Sequence, residues 1–345
     1  MKTITFFNNK GGVGKTTLAV NIASYLQIEK GLRVLVIDAD PQSNSTQMIL
    51  DIEMWEKIYA PDSLETTLLS YLRPLTLGEA SLSLGAIPIS GESNRFGVDI
   101  IPGHPKLSLL EDKLSSSWKD CSAGDIGGFR VTNWVNVLKN HFADDYDIAI
   151  FDVGPSLGAL NRSILLNSDY FITPMGCDVF SLMGIENISE WIKSWERIYK
   201  TSLSILEENF PDLNHSDYFI NNNTSNNFLF AGYSVQQYIT KVINGKRRGI
   251  AAYEKIKMQI PDALETNLND FLPDNLTMQE CDLGDIPNFF SLVPLAQTSN
   301  SPIHQLKKSD GVVGNHYKMI KDYANVMELV CKKILSNIGV EYESN

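Results

Sequence analysis

Asn8-Asn9-Lys10-Gly11-Gly12-Val13-Gly14-Lys15-Thr16-Thr17 follows an apolar, β-like run at residues 3–7 and leads straight into a helical pattern. A strand, a glycine-rich loop and a helix start in that order predict a phosphate-binding loop, and so a site for ATP or a similar triphosphate. Gly11, Gly12 and Gly14 permit positive φ and let backbone N–H groups approach phosphate oxygens closely. The first turn of the helix adds free N–H donors and a favourable dipole. Lys15 would carry its charge to the β- and γ-phosphates, and the Thr16 hydroxyl would bind Mg²⁺. The whole run Asn9, Lys10, Gly11, Gly12, Val13, Gly14, Lys15, Thr16 and Thr17 is the expected cradle.

Beyond the loop, Leu18, Ile22, Ala23, Tyr25 and Leu26 keep helical spacing up to a Lys30-Gly31 stop, and residues 33–38 read as a fully buried strand. This is a βαβ unit. Further apolar runs at 98–102, 148–152, 170–174, 218–221 and 289–294, with amphipathic stretches between them, extend the alternation. The expected fold class is α/β: a three-layer, mostly parallel twisted sheet with helices on both faces and ligands at the C-terminal ends of the strands. Residues 1–337 read as one ATPase domain with an insertion at about 51–97, where 64–72 is the one good helical pattern, and 338–345 as a short acidic tail. The apolar stripe Ile320, Tyr323, Met327, Val330, Cys331 and Ile334 on the last helix, about 317–335, reads as core.

Two more segments end strands with acids, at the edge where ligands bind. Asp38-Ala39-Asp40-Pro41-Gln42 offers two carboxylates for a metal and an attacking water, with Asp40 alternatively capping the following turn. Ile148-Ala149-Ile150-Phe151-Asp152 has the Walker B form, in which the strand fixes a carboxylate that holds Mg²⁺ through water.

The composition is that of an ordinary globular protein, 43% hydrophobic and 20% charged over 345 residues. A net charge of −12 excludes a generally basic surface, so any contact with DNA must come from a local patch. Lys241, Lys246, Arg247, Arg248, Lys255 and Lys257 make the one concentrated positive segment, either a phosphate-binding patch or a solvated face. Cys121, Cys177, Cys281 and Cys331 are scattered without ligand or disulfide spacing, which fits a reducing cytoplasm. No run approaches the length of a membrane span, and the end of the chain lacks a basic amphipathic tip, so a membrane partner is not expected.

Lys10-Gly11-Gly12-Val13-Gly14-Lys15-Thr16-Thr17 resembles the deviant Walker A motif of the ParA/MinD family of dimerising ATPases, and the chain is most similar to the ParA-type partition ATPases within it. Asn9 stands where the ordinary P-loop has its first glycine. The resemblance continues through Asp38-Ala39-Asp40-Pro41-Gln42, through Val153-Gly154-Pro155-Ser156-Leu157-Gly158, where Gly154 replaces a proline, and through Asp178-Val179-Phe180-Ser181-Leu182-Met183-Gly184. It implies an ATP-dependent homodimer in which Lys10 reaches the partner's ATP, Asp40 orients water, and Asp38 supports Mg²⁺ beside Thr16 and Asp152. Lys10, Lys15 and Asp40 would then be the catalytic set. It also implies adenine contacts at Asn221 and Pro294, and a ParB-like activator or cargo adaptor as partner. The arginines that DNA-binding relatives place after the proline equivalent to Pro294 are replaced by Leu295-Ala296-Gln297-Thr298, which leaves Lys246, Arg247 and Arg248 as the candidate contact with nonspecific DNA. With the phosphate loop so near Met1, a DNA-reading domain in front of it is not expected. The implied activity is slow, partner-stimulated ATP hydrolysis in the partitioning of a plasmid, chromosome or protein assembly, in the cytoplasm or on the nucleoid. Three other readings stand beside it: a nucleotide-gated module in a defence or signalling operon, a MinD-like regulator, and a ligase or reductase on the same scaffold.

Overall fold

The computed structural model describes residues 1–60, 63, 66–222, 227–238, 240–243, 246–249, 251–289 and 291–342, and for those between 237 and 253 the backbone alone. The strands are β1 (Lys2–Phe6), β2 (Val34–Asp38), β3 (Asp99–Ile101), β4 (Ile148–Asp152), β5 (Tyr170–Met175), β6 (Leu229–Tyr238), β7 (Thr240–Ile243), β8 (Lys246–Gly249) and β9 (Asp282–Pro287). Seven of them form one sheet in the order β3-β2-β4-β1-β5-β6-β9, and every pairing in it is parallel. β7 and β8 form a separate antiparallel hairpin. The helices are α1 (Lys15–Lys30), α2 (Asn44–Ile49), α3 (Ile52–Tyr59), α4 (Leu68–Thr76), α5 (Leu110–Ser122), α6 (Ile126–Thr132), α7 (Trp134–His141), α8 (Ala159–Leu165), α9 (Val179–Asn209), α10 (Ala251–Lys257), α11 (Ile260–Leu268), α12 (Leu292–Thr298) and α13 (His316–Asn337).

The central strands β2, β4 and β5 are almost continuously apolar because both faces of the sheet are covered there. On one face Leu18 and Ile22 of α1 pack with Met327 and Ile334 of α13. On the other, Leu114 of α5, Trp134 of α7, Leu160 of α8 and Ile188 of α9 share a layer. The α/β class and the three layers expected from the sequence are therefore present, as is the buried stripe of the last helix, where Tyr323, Met327, Val330, Cys331 and Ile334 are core. All four cysteines are free and buried.

Three expectations are corrected. The run 218–221 is not a strand: His215–Tyr218 is a 3₁₀ turn, Phe219 takes a left-handed φ of 56°, and the strand forms later as β6. The run 289–294 is not a strand either, because the edge position is taken by β9 and Leu292–Thr298 is helical. The insertion carries two helices, α3 as well as α4; the Asp51 carboxylate caps α3 by accepting from Met54 N at 2.9 Å. Residues 61, 62, 64 and 65, at the expected start of the 64–72 pattern, lie outside the described residues, as do 343–345 of the tail. The rest of the tail is not wholly free, since Ile338 is buried in the core and the Lys30 ammonium sits 4.9 Å from the Tyr342 ring. Among the described residues no helix is long and apolar enough to cross a membrane.

Candidate nucleotide site

Parallel register gathers the acids at one edge. Phe6 and Asp38 both pair with Asp152, so the ends of β1, β4 and β2 lie level beneath the phosphate loop. Gly12 and Gly14 take φ of 74° and 77°, the left-handed region that a side chain disfavours, and Gly14 starts α1. At its other end α1 stops where expected, at Gly31 with φ 68°. A cavity of about 580 Å³ opens above the loop, lined by Gly11, Gly12, Gly14, Lys15, Thr16 and Asp40.

Lys15 is only 8% exposed, and its Nζ donates to the Lys10 carbonyl at 3.1 Å. Burial pushes its pKa down, while Asp152 and Asp40 push it back up, so the two carboxylates keep an ammonium in a shielded position. Asp152 is fully buried. Its Oδ2 accepts from the Ser45 hydroxyl at 2.6 Å, and its Oδ1 has no partner. Burial raises its carboxyl to about 6, against the restraining hydroxyls of Ser45 and Thr16. A buried carboxylate oxygen without a partner beside the Thr16 hydroxyl is a donor set that fits Mg²⁺, which takes few protein ligands and completes its shell with water and phosphate.

Asp38 is placed differently from its expected role. Its Oδ2 accepts from both the amide and the hydroxyl of Thr46, at 2.8 and 2.7 Å, and its Oδ1 accepts from Asp40 N at 3.2 Å. Burial, and then the nearby Asp152, raise its carboxyl to about 8. With both oxygens engaged, Asp38 ties α2 to the loop that carries Asp40, which makes it a positioning residue rather than a free metal ligand. Asp40 lines the cavity and holds its own loop, with Oδ1 accepting from Gln42 N at 2.9 Å. Gly154 faces it closely: a Cβ there would lie 3.1 Å from Asp40 Oδ1.

Lys10 stands at the rim, and its Nζ is paired with the Asp178 carboxylate. Asp178 also caps α9, accepting from Ser181 N at 3.1 Å, and although partial burial pushes its pKa up, Lys10 and Ser181 hold it below the usual carboxylate range. The start of α9 packs tightly on the loop, since a Cβ at Gly184 would come 2.8 Å from Asn9 Oδ1. The adjoining surface is apolar: Val179, Phe180 and Met183 are 58%, 71% and 55% exposed.

A second cavity of about 280 Å³ runs from Gly14, Thr17 and Leu18 to Gln236, Phe289 and Pro294. It shares Gly14 and Thr17 with the first. Pro294 is therefore next to the phosphate loop. Asn221 is not: its N–H donates to Asn133 Oδ1 at 3.2 Å and its carbonyl accepts from the Tyr199 hydroxyl, at the N-terminal edge of the sheet where Phe228 N donates to Ser168 O. Asn221 precedes β6 rather than following it, so it sits on the wrong side of the sheet for a ligand. Lys246, Arg247 and Arg248 lie on β8, and their side chains are outside the described residues.

Ser45, Asp178 and Gln236 border the site and were not named as site residues from the sequence. Asp178 had a signal in its motif, whereas Gln236 could be placed only once β6 was known.

A family model described as an AAA domain matches residues 1–205. Protein DIP2308 from Corynebacterium diphtheriae has a solved structure that is 33% identical, covers 87% of this chain and 97% of its own, and superposes with a TM-score of 0.71. The virulence plasmid ParA family protein pGP5-D of Chlamydia psittaci is 31% identical over 191 residues, 55% of this chain and 63% of that protein. The chain thus spans less than two thirds of that relative's length. The structure of pNOB8 ParA bound to nonspecific DNA shares the fold at 21% identity, with a TM-score of 0.53 over 98% of each chain. With the phosphate loop, the two strand-terminal acids and the seven-stranded sheet in place, this chain belongs to the ParA/MinD family of P-loop ATPases.

Proposed function

We propose that the chain is an ATP-driven dimerising switch that hydrolyses ATP in partitioning or positioning a cargo. The observation that carries this reading is Lys10: a lysine next to the phosphate cavity, near the exposed Val179, Phe180 and Met183, with its ammonium paired to Asp178 rather than to a group of its own loop. Lys15 and the loop amides would hold the β- and γ-phosphates, and Thr16 with Asp152 would hold Mg²⁺, which supplies charge neutralisation at the phosphates. Asp40 would orient water for in-line attack, and Lys10 would add positive charge across the interface. Gly14, Gln236 and Pro294 would border the adenine.

The name of pGP5-D and the DNA complex of pNOB8 ParA support a plasmid or chromosome as cargo, with nonspecific DNA as carrier. On this chain the DNA contact would fall to Lys246, Arg247 and Arg248, against the net charge of −12, so binding should weaken steeply with salt. A ParB-like activator would stimulate hydrolysis, and the setting would be the cytoplasm and nucleoid.

Asp40→Ala tests the reading. It should retain ATP, lose hydrolysis by roughly 100-fold and accumulate as a dimer, because the base of the site is intact while the water is no longer held. Hydrolysis at the parental rate would move the water-orienting role elsewhere.

A further inference from the structure

Residues 153–158 join the end of β4, where Asp152 sits, to the start of α8, and through Pro155 they form one wall of the phosphate cavity. The wall has little backbone bonding of its own. Among the described residues no backbone–backbone hydrogen bond involves residues 154–157, so their position depends on side chains that reach them from elsewhere. Gly154 also faces the residue proposed to hold water, since a Cβ there would lie 3.1 Å from Asp40 Oδ1. Glycine leaves the turn more freedom than a proline would. A small shift of this segment would therefore move the wall against which Asp40 works.

Asn161 supplies the missing bonds. It is 2% exposed, and its Nδ2 donates to the carbonyls of Gly154 at 2.8 Å and Ser156 at 2.7 Å, one on each side of Pro155. Both N–H bonds of one rigid amide are thus spent on that loop. Asn161 stands in the first turn of α8, and α8 is itself held from α5. The Glu111 carboxylate accepts from Ala159 N at 2.6 Å and from Leu160 N at 3.3 Å, and so caps the start of α8, where Gly158 has no side chain to do so. The fit leaves no room at Gly158, since a Cβ there would lie 2.7 Å from both Glu111 oxygens. Two further ties keep α8 in place. The Arg162 guanidinium sits 4.4 Å from the centre of the Trp118 ring of α5, and Trp134 Nε1 of α7 donates to Ser163 Oγ at 2.8 Å.

We propose that Asn161 and Glu111 are positioning residues for hydrolysis: Glu111 fixes the start of α8, and Asn161 carries that fixed point to residues 154–156, which form the wall facing Asp40. Other groups, Lys15 and the loop amides, hold the phosphates, so the pair acts on turnover and leaves ATP affinity alone. Misplacing part of a reacting site by about 1 Å can cost on the order of 100-fold in rate. The rate effect rests on the ATPase reading above, whereas the clamp on residues 154–158 does not.

Single-turnover hydrolysis, ATP affinity by calorimetry and amide hydrogen exchange, measured on variants of the full chain that pass a thermal melt, separate the two. Asn161→Asp keeps the shape and removes both donors, so it should slow hydrolysis roughly 30-fold or more while ATP affinity in the presence of Mg²⁺ stays within about twofold of the parent. Asn161→Ala serves if that variant fails to fold. Glu111→Ala should slow hydrolysis roughly fivefold and speed exchange at the Ala159 and Leu160 amides roughly tenfold, whereas Glu111→Gln, which still accepts, should stay within about twofold of the parent in both. Gly158→Ala should displace the carboxylate and slow hydrolysis as Glu111→Ala does, and the two together should be no slower than either alone. Parental turnover in the Asn161 variants, or a loss of ATP affinity as large as the loss of rate, would overturn the positioning role. Additive losses in the double variant would overturn the part given to Glu111. If the parent hydrolyses no ATP, the ATPase reading falls and the rate effect with it, and exchange indifferent to Glu111→Ala would overturn the clamp as well.

Discussion

The phosphate side of the site and the side proposed for the base meet at the start of α1, yet they are assembled in different ways. On the phosphate side, β1, β2 and β4 are short, fully paired and continuous, and each delivers its chemistry at its last residue or in those that directly follow. On the base side, β6 and β9 pair with register shifts, at Tyr233/Ser234 and between Gln236 and Tyr238, and the pocket is closed by α12 and α13 from far along the chain. Phosphate recognition needs charges and amides at fixed spacing, which a local motif can encode. A base pocket needs mainly shape, which many sequences supply.

If that contrast holds, changes on the phosphate side should be severe and those on the base side mild. Lys15→Ala should weaken ATP binding by about 2–4 kcal/mol, or roughly 30- to 1,000-fold by calorimetry, because a shielded charged donor cannot be replaced by water. Near-normal affinity would remove the phosphate-loop assignment. Gly154→Ala should leave ATP binding intact and slow hydrolysis by roughly three- to tenfold, since the new Cβ would press on Asp40. An unchanged turnover rate would show that the 3.1 Å approach to Asp40 Oδ1 is without consequence.

Gln236→Ala, on the base side, should cost only about 0.5–1.5 kcal/mol of ATP affinity and reduce the preference for ATP over GTP. A loss as large as that of Lys15→Ala would erase the distinction between the two sides. The smallest expected effects concern stability and have opposite signs. Asp38 and Asp152 have carboxyls raised to about 8 and about 6, so the stability they contribute is greatest at low pH and is lost as pH rises from about 4 toward 8. On the far side of α12, the hydrogen-bonded Arg95 guanidinium holds Asp310 at about 2. Its contribution is present above about pH 4 and lost as pH falls toward 2. Urea melts across pH, with Arg95→Ala flattening only the acid limb, would check both signs.

The same contrast explains what was legible beforehand. The phosphate loop, the acids ending β2 and β4, and the α/β class could be seen because consecutive residues carried them. The strands near 218–221 and 289–294 were misplaced because β9, Asp282–Pro287, is polar and holds Gly284 at φ 111°, while the apolar start of β6, Leu229–Tyr238, is interrupted by Gly232 at φ 146° and followed by polar residues. Apolar runs mark buried strands, and neither of these two strands is one unbroken apolar run. Asn221 was misassigned for the same reason, since its expected place depended on a strand that forms after it. Asp38 was found but its role was not, because only the fold shows Thr46 and Asp40 using both its oxygens.

Lys10 tests the central claim most directly, since its ammonium pairs with Asp178 rather than with a group of its own phosphate loop. Lys10→Ala should bind ATP with roughly parental affinity, because Lys15 and the loop amides remain. Light scattering of the parent with ATP and Mg²⁺ should show a dimer, and of Lys10→Ala under the same conditions a monomer. A Lys10→Ala chain that still forms the parental ATP-dependent dimer would contradict the account.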